Sequence, residues 1–121
     1  MNPTNLEEAV KYLINHLQSS EGAIDESKHW ASLDEDYAIS SIHMFAGMSL
    51  RNKLELWHEN DLTKWFNSIG IVHPDDISGI IFTSTHRKLN KKDVRLNQQI
   101  EFYQDFWKKQ GFSNGILTKG R

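Results

Sequence analysis

Apolar residues recur at three- and four-residue steps along most of the chain, which is the spacing of one buried face of an α-helix. The first such stripe is Ala9, Val10, Leu13, Ile14 and Leu17. Thr4 and Glu7 fit a capping box at its start, in which each side chain satisfies a free backbone N–H of the other residue. Two serines and Gly22 follow the stripe. We therefore predict a first helix that ends near residue 18.

The next third of the chain has the same period with weaker end signals. Residues 25–30 predict a short helix. From Asp36 the apolar positions continue to Trp57, which predicts either one long helix or two helices interrupted near Gly47. A glycine inside a helix costs about 1 kcal/mol relative to alanine. We expect Gly47 to permit a kink or a close approach by another backbone.

Two further helices have clearer boundaries. Asn60 is suited to be the N-cap of a helix that ends before Gly70, a residue type favoured just past a helix C-terminus. Pro74 fits the first turn of the following helix, with Asp75 and Asp76 near the positive end of its dipole. The apolar positions expected to face inward are Leu62, Trp65, Phe66 and Ile69 in the first, and Ile77, Ile80 and Ile81 in the second.

The last predicted helix runs from about Leu96 to Gln110, after a turn at 90–95. Its inward stripe is expected to be Ile100, Tyr103, Phe106 and Trp107. The tail, residues 111–121, is expected to be loosely held. Because a buried tryptophan covers about 200 Å², we expect the four tryptophans to anchor the core.

These segments predict an all-α fold, a compact single-domain bundle of five or six helices over residues 1–121 with its core at about 4–110. The chain has 121 residues, of which 38% are hydrophobic and 25% charged, enough for one buried core. It has no cysteine, which excludes a disulfide scaffold, a thiolate metal site and a cysteine nucleophile. It has neither a secretory signal nor a membrane-spanning apolar run, so we expect a soluble, cytoplasmic protein with no membrane contact.

The charge is divided between the two halves of the chain. Residues 1–60 contain four basic and ten acidic residues, a formal charge of −6, whereas residues 61–121 contain ten basic and six acidic residues, a charge of +4. A charge-polarised surface favours steered association with a partner. The basic run at 87–95 is a modest patch, and a nucleic-acid-binding domain is usually more basic throughout, so we do not favour nucleic acid as the partner.

The candidate polar residues lie in two short segments. We expect Arg51 to pair with Asp75 or Asp76 and so to fix the angle between two helices, while Asn52 caps or bridges a neighbouring loop. His73 stands beside the same two carboxylates, a set of groups that can bind a divalent metal or act as a base. Helix capping and the helix dipole explain this run equally well, and the other histidines have no ligand spacing. We therefore expect no metal and no cofactor.

The order of motifs in the chain resembles that of an uncharacterised bacterial family, described only as a domain of unknown function. The motifs are His43 and Gly47, Arg51–Asn52, Leu56–Trp57, Leu62 to Phe66, Gly70 to Asp76, and Arg87 to Asn90, followed by the closing segment QQIEFYQDFW. The resemblance extends over about residues 6–107. It implies a shared helical fold and no particular activity.

The leading hypothesis is a small non-enzymatic interaction protein that binds a protein partner through its charge-polarised surface. An immunity- or antitoxin-like protein is one form of this hypothesis. The alternative is a small-ligand-binding or enzymatic domain with a cleft around the 51–52 and 73–76 segments. We assign no catalytic residue, because the chain has neither a G-x-S-x-G elbow nor a P-loop. The candidate ligand- or partner-binding residues are Arg51, Asn52, His73, Asp75, Asp76 and Arg87.

Overall fold

The structure is a computed structural model of the chain, and it describes residues 2–42, 45–113 and 116–117. The fold is all-α, as the periodicity of the sequence predicts. The described part contains seven helices, so the predicted number of five or six is slightly low. No helix within these ranges is long and apolar enough to cross a membrane.

The helices are named in chain order. They are α1 (Leu6–Leu17), α2 (Glu21–Ser32), α3 (Glu35–Ile42), α4 (Phe45–Lys53), α5 (Asp61–Ser68), α6 (Pro74–Leu89) and α7 (Leu96–Lys109). Two residues at Phe112–Ser113 (β1) pair antiparallel with Ile116–Leu117 (β2). The tail that was expected to be loose includes residues 114–115 and 118–121, which lie outside the described residues.

Helix α6 is the central element of the bundle. Helices α1, α3, α4 and α7 all pack against it, and its three isoleucines, Ile77, Ile80 and Ile81, are fully buried as predicted. Most of the remaining core consists of leucine and phenylalanine side chains, which come from α1, α4, the turn after α4, α5 and α6 itself. Side chains buried at this level each contribute about 1.5–3 kcal/mol to folding, so α6 provides much of the free energy that holds the other helices.

The first helix begins one residue later than the predicted capping box requires. Asn5 is the N-cap, and its side-chain oxygen accepts a hydrogen bond from the Glu8 N–H at 2.9 Å. The Glu8 carboxylate accepts from the Thr4 N–H and hydroxyl at 2.9 and 3.0 Å. The prediction of Thr4 and Glu7 was therefore wrong by one residue, because asparagine caps a helix at least as well as threonine. Asn60 and Gly70 do have their predicted roles at the two ends of α5.

Gly47 does not mark the helix boundary that was predicted near it. Helix α3 ends at Ile42 and α4 begins at Phe45, so Gly47 lies inside α4. A Cβ atom added at Gly47 would lie 2.9 Å from Nη1 of Arg51, one turn later. The glycine therefore leaves room mainly for a side chain of its own helix, while the backbone oxygen of Ile42 in α3 would lie 3.7 Å from the added Cβ, an ordinary contact distance.

The tryptophans anchor the core only in part, since Trp30 and Trp65 pack against it and Trp57 does not. Trp57 is 58% exposed, and Trp30, Trp65 and Trp107 are only half-buried at its edge. An indole N–H needs an acceptor when it is buried, which favours edge positions. The Nε1 atom of Trp30 donates to the Ala38 carbonyl at 3.1 Å. Phe106, predicted to face inward, is 48% exposed.

Candidate functional site

The first candidate residue, Arg51, is buried against the start of α6. Its Nε lies 3.3 Å from Oδ1 of Asp75, within ion-pair distance, but the Nε–H is not aligned for a hydrogen bond. Its Nη1 donates to the hydroxyl of Ser78 at 3.2 Å. Asn52 is exposed, and its side chain makes no hydrogen bond with any described residue. Arg51 thus joins α4 to α6, and Asn52 takes no part in the junction.

His73 and Asp75 complete the start of α6. Nδ1 of His73 accepts a hydrogen bond from the Asp75 N–H at 3.0 Å, so the imidazole is the N-cap of the helix. Pro74 occupies the first turn as predicted. The interpretation of this segment as a helix cap accounts for the hydrogen bond of His73. Across the described ranges, no three histidine, aspartate or glutamate side chains are placed to hold a metal ion.

Asp76 points away from Arg51 and towards α7. Its Oδ2 accepts a hydrogen bond from Nε1 of Trp107 at 2.6 Å, and the His73 ring stacks on the indole with a centroid distance of 5.5 Å. Burial raises the pKa of the Asp76 carboxyl above its ordinary value. Burial, and then the charge of Asp76, raises the pKa of Tyr103 to about 12. The second aspartate therefore fastens α7 to α6.

The raised pKa of Asp76 predicts a specific pH dependence of stability. The native state binds this proton more tightly than the unfolded chain, so the stabilising contribution is fully present below the ordinary pKa of 3.8 and is lost as pH rises through the raised value. We expect Asp76→Asn to become more stable relative to the wild type as pH increases from 3.5 to 7. Urea denaturation at several pH values measures this difference. A difference independent of pH would contradict the prediction, and Asp105→Asn, at an exposed position, is the control.

Arg87, the last candidate residue, belongs to a different junction. Its Nε and Nη2 donate to the two carboxylate oxygens of Glu35 at 2.7 and 3.1 Å, and its Nη1 donates to the Val94 carbonyl at 2.6 Å. The hydrogen bonds from Arg87 hold the pKa of Glu35 below its ordinary value. Arg87 therefore connects α6 with α3 and with the turn before α7.

The structure separates the candidate residues into two groups. Arg51, His73, Asp75 and Asp76 lie together at the N-terminal end of α6, whereas Arg87 lies near its C-terminal end. The other basic residues of the 87–95 run, Lys88, Lys91, Lys92 and Arg95, are exposed. Five cavities in the described part of the chain have linings that contain none of Arg51, Asn52, His73, Asp75 and Asp76.

An apolar groove lies between α1, α2, α4 and α6, and Ile42 at the end of α3 also lines it. It has a volume of about 350 Å³, and we call it the α2 groove. Its lining includes Leu17, Ala23, Trp30, Ile42, Ala46 and Phe82, with His16 and Glu26 exposed at the rim. The buried hydroxyl in its lining, that of Ser27, donates to the Ile24 carbonyl at 2.8 Å. The groove therefore offers a partner an apolar surface.

Acidic side chains are concentrated in the segment that forms α2 and α3, and one of them, Glu26, lines this groove. Residues 19–42 contain six acids, Glu21, Asp25, Glu26, Asp34, Glu35 and Asp36, and one basic residue, Lys28. Within the described part of the chain, Glu35 is the one acid of this segment that forms an ion pair. We call the other five acids the acidic surface. The charge asymmetry is visible in the sequence, but none of these acids was predicted to be a site residue.

The α7 helix adds exposed aromatic residues that sequence analysis placed differently or did not single out. Phe102 is 67% exposed and Phe106, one turn later, is 48% exposed. Tyr37 on α3 is also largely exposed. The helical period of α7 indicates the exposure of Phe102, because Phe102 lies outside the apolar stripe that contains Ile100, Tyr103 and Trp107.

Comparison with known families decides the membership of the chain. A family described as a domain of unknown function (DUF6794) matches residues 2–89, which is more than half of the sequence and covers α1 to α6. The chain belongs to the DUF6794 family. The DUF6794 match ends at Leu89, so the closing helix, which we took as part of the resemblance, lies outside it. His43, the first motif of the resemblance, lies outside the residues that the structure describes.

Membership in DUF6794 brings no assigned activity. No curated protein matches the chain. No solved structure matches it either. Any function must therefore be argued from the side chains of this DUF6794 domain and from the helix that follows it.

Proposed function

We propose that this DUF6794 protein is a non-enzymatic, cytoplasmic interaction domain that binds a basic region of a protein partner. The observation that carries the proposal is the acidic surface of α2 and α3, where five carboxylates have no ion-pair partner among the described residues and one of them, Glu26, lines the α2 groove. An immunity- or antitoxin-like role, in which the domain covers a basic surface of a toxin, is one form of this proposal.

The polar candidate residues support binding over catalysis. Arg51 contacts Asp75 and Ser78, and Asp76 contacts Trp107, so these groups contact one another across helix junctions. A catalytic or ligand-binding constellation usually converges on a pocket, whereas the contacts of these side chains join one helix to another.

The acidic surface and the groove have complementary roles in the proposed interface. Unpaired surface charges raise the rate at which an oppositely charged partner arrives, and they do so less at high salt. An apolar groove then supplies the burial that lengthens the lifetime of the complex. The volume of about 350 Å³ is sufficient for one or two large apolar side chains, as in helix-in-groove recognition.

Affinity capture with a matched pair of variants tests the proposal. We expect Asp25→Asn/Glu26→Gln to capture a basic partner from lysate about tenfold less efficiently than the wild type, because two of the unpaired charges are removed. The control is Glu55→Gln/Glu59→Gln, which removes the same charge from exposed positions outside the acidic surface. Quantitative mass spectrometry measures the captured protein at two salt concentrations.

The proposal requires that both the charge dependence and the salt dependence are specific. A partner that is captured equally by both variants, or whose capture is independent of salt, would contradict it. An acidic partner would also contradict it. Because the four substituted side chains are exposed, we expect the thermal midpoints of both variants to remain close to that of the wild type.

A further inference from the structure

A second cavity, of about 300 Å³, lies between α3 and α7 with α6 beneath it, and we call it the α3–α7 pocket. Asp36 on α3 and Gln98 and Phe102 on α7 line it, and the Glu35–Arg87 pair lies at its base. We propose that this pocket binds an arginine side chain of the protein partner. The inference rests on the proposed function and names one contact within it.

The charge of the pocket favours a cation. Glu35 accepts two hydrogen bonds from Arg87, so the charges of these two residues offset one another. Asp36, the next residue, is exposed and forms no ion pair with any described residue. The residues that line the pocket carry a formal charge of −1, but the positive charge of Arg95 also acts on Glu35, so the available Asp36 carboxylate, and not a net negative charge, favours a cation. An anionic ligand would meet this carboxylate and be repelled.

The aromatic wall favours a guanidinium over other cations. Phe102 is 67% exposed, and it lines the pocket together with Asp36. A guanidinium stacks on an aromatic face while it donates two parallel hydrogen bonds to a carboxylate. An ammonium group is a more strongly hydrated point charge, and it lacks the planar fork. The Gln98 side chain is an additional acceptor at the same rim.

Part of the proposed arginine contact lies on α7, the helix that the DUF6794 match does not include. Gln98 and Phe102 belong to α7, whereas Asp36 belongs to α3 within the matched residues. Trp107 fixes α7 in position through its hydrogen bond to Asp76. The arginine contact therefore depends on both the family domain and the additional helix.

Nuclear magnetic resonance titration of the full chain tests the proposal directly. The probe is N-acetyl-arginine methylamide, with the lysine and citrulline derivatives as comparisons. We expect saturable shifts of the backbone amides of Asp36, Gln98 and Phe102, with a dissociation constant of about 10 mM, as befits a single side chain. The lysine derivative should bind about threefold more weakly, and citrulline, which has the same shape without the charge, should cause no saturable shift.

Two variants and two matched controls assign the contact. Asp36→Asn and Phe102→Leu should each weaken arginine binding about fivefold or more. Asp105→Asn and Tyr37→Leu change an exposed acid and an exposed aromatic that do not line the pocket, and they should leave it unchanged. Unchanged spectra away from the pocket establish that each variant is folded.

Three results would overturn the inference: no saturable shift, equal shifts with citrulline, or arginine binding that survives in Asp36→Asn. These results leave the capture experiment unaffected, so failure of the pocket is distinguishable from failure of the proposed function. Conversely, a pocket that binds arginine in a protein whose partner capture does not depend on Asp25 and Glu26 would support this inference and contradict the proposed function.

Discussion

Substitution of Arg51 by methionine is expected to lower the free energy of unfolding by about 2 kcal/mol at pH 7, because Arg51 itself is buried whereas its partner Asp75 is 43% exposed and stays solvated when the cation is removed. The Asp75 carboxylate would lose its cation, and the Ser78 hydroxyl would lose a donor. Methionine is close to arginine in length and fills irregular space well, so little of the effect would come from a cavity. Urea denaturation measures the change.

The neighbouring residue is the natural control for this substitution. Asn52→Met introduces the same side chain on the same helix at an exposed position, and we expect a change of about 0.5 kcal/mol or less. Arg51→Lys should lie between the two, because lysine keeps the charge but not the fork that reaches both Asp75 and Ser78. A loss smaller than about 1 kcal/mol in Arg51→Met would show that this group does not stabilise the junction.

The sequence was sufficient to predict the contact between Arg51 and one of the two aspartates, but not which one. Both carboxylates lie in the first turn of α6, where the helix dipole favours them equally. The choice depends on Trp107, which is 31 residues away and hydrogen-bonds Asp76 from α7. Local sequence patterns contain no information about such a pairing. Because the distant helix α7 engages Asp76, Asp75 is the aspartate that pairs with Arg51.

The helices themselves were predicted better than their side-chain environments. End signals at Asn60, Gly70 and Pro74 each act within one turn, and each was confirmed. The burial of an aromatic residue depends instead on which helices pack beside it. Trp57 and Phe106 follow an apolar stripe in the sequence, but they are exposed because no described helix covers them fully.

The surface assigned to binding had only a coarse signal in the sequence. The charge asymmetry between the two halves was visible, but it included Glu35 and Arg87, which the fold pairs with each other. Ion pairs between residues 52 positions apart remove charges from the surface that a sequence count retains. The acids that remain unpaired on α2 and α3, and not the total charge, are therefore the better guide to the partner.

The Arg87–Glu35 pair gives the second large expected effect. Arg87→Met should destabilise the fold by about 3 kcal/mol at pH 7, since it removes two charged hydrogen bonds to Glu35 and one to the Val94 carbonyl. Because Arg87 lowers the pKa of Glu35, the stabilisation from this carboxylate is present above its ordinary pKa of 4.5 and is lost as pH falls through the lowered value. The effect of Arg87→Met should therefore shrink in acid.

A double-mutant cycle separates this pairing from the other contacts of Arg87. With Glu35→Gln as the second substitution, we expect a coupling energy of about 2 kcal/mol at pH 7 and a smaller one in acid. The remaining loss in Arg87→Met then reports the hydrogen bond to Val94, which holds the turn before α7. Lys88→Met, on the same helix and exposed, is the control and should change stability by about 0.5 kcal/mol or less. A coupling energy near zero would mean that Arg87 and Glu35 stabilise the fold independently. The Glu35 carboxylate and the Arg87 guanidinium would then both contribute charge to the binding surface, from which we excluded them as a pair.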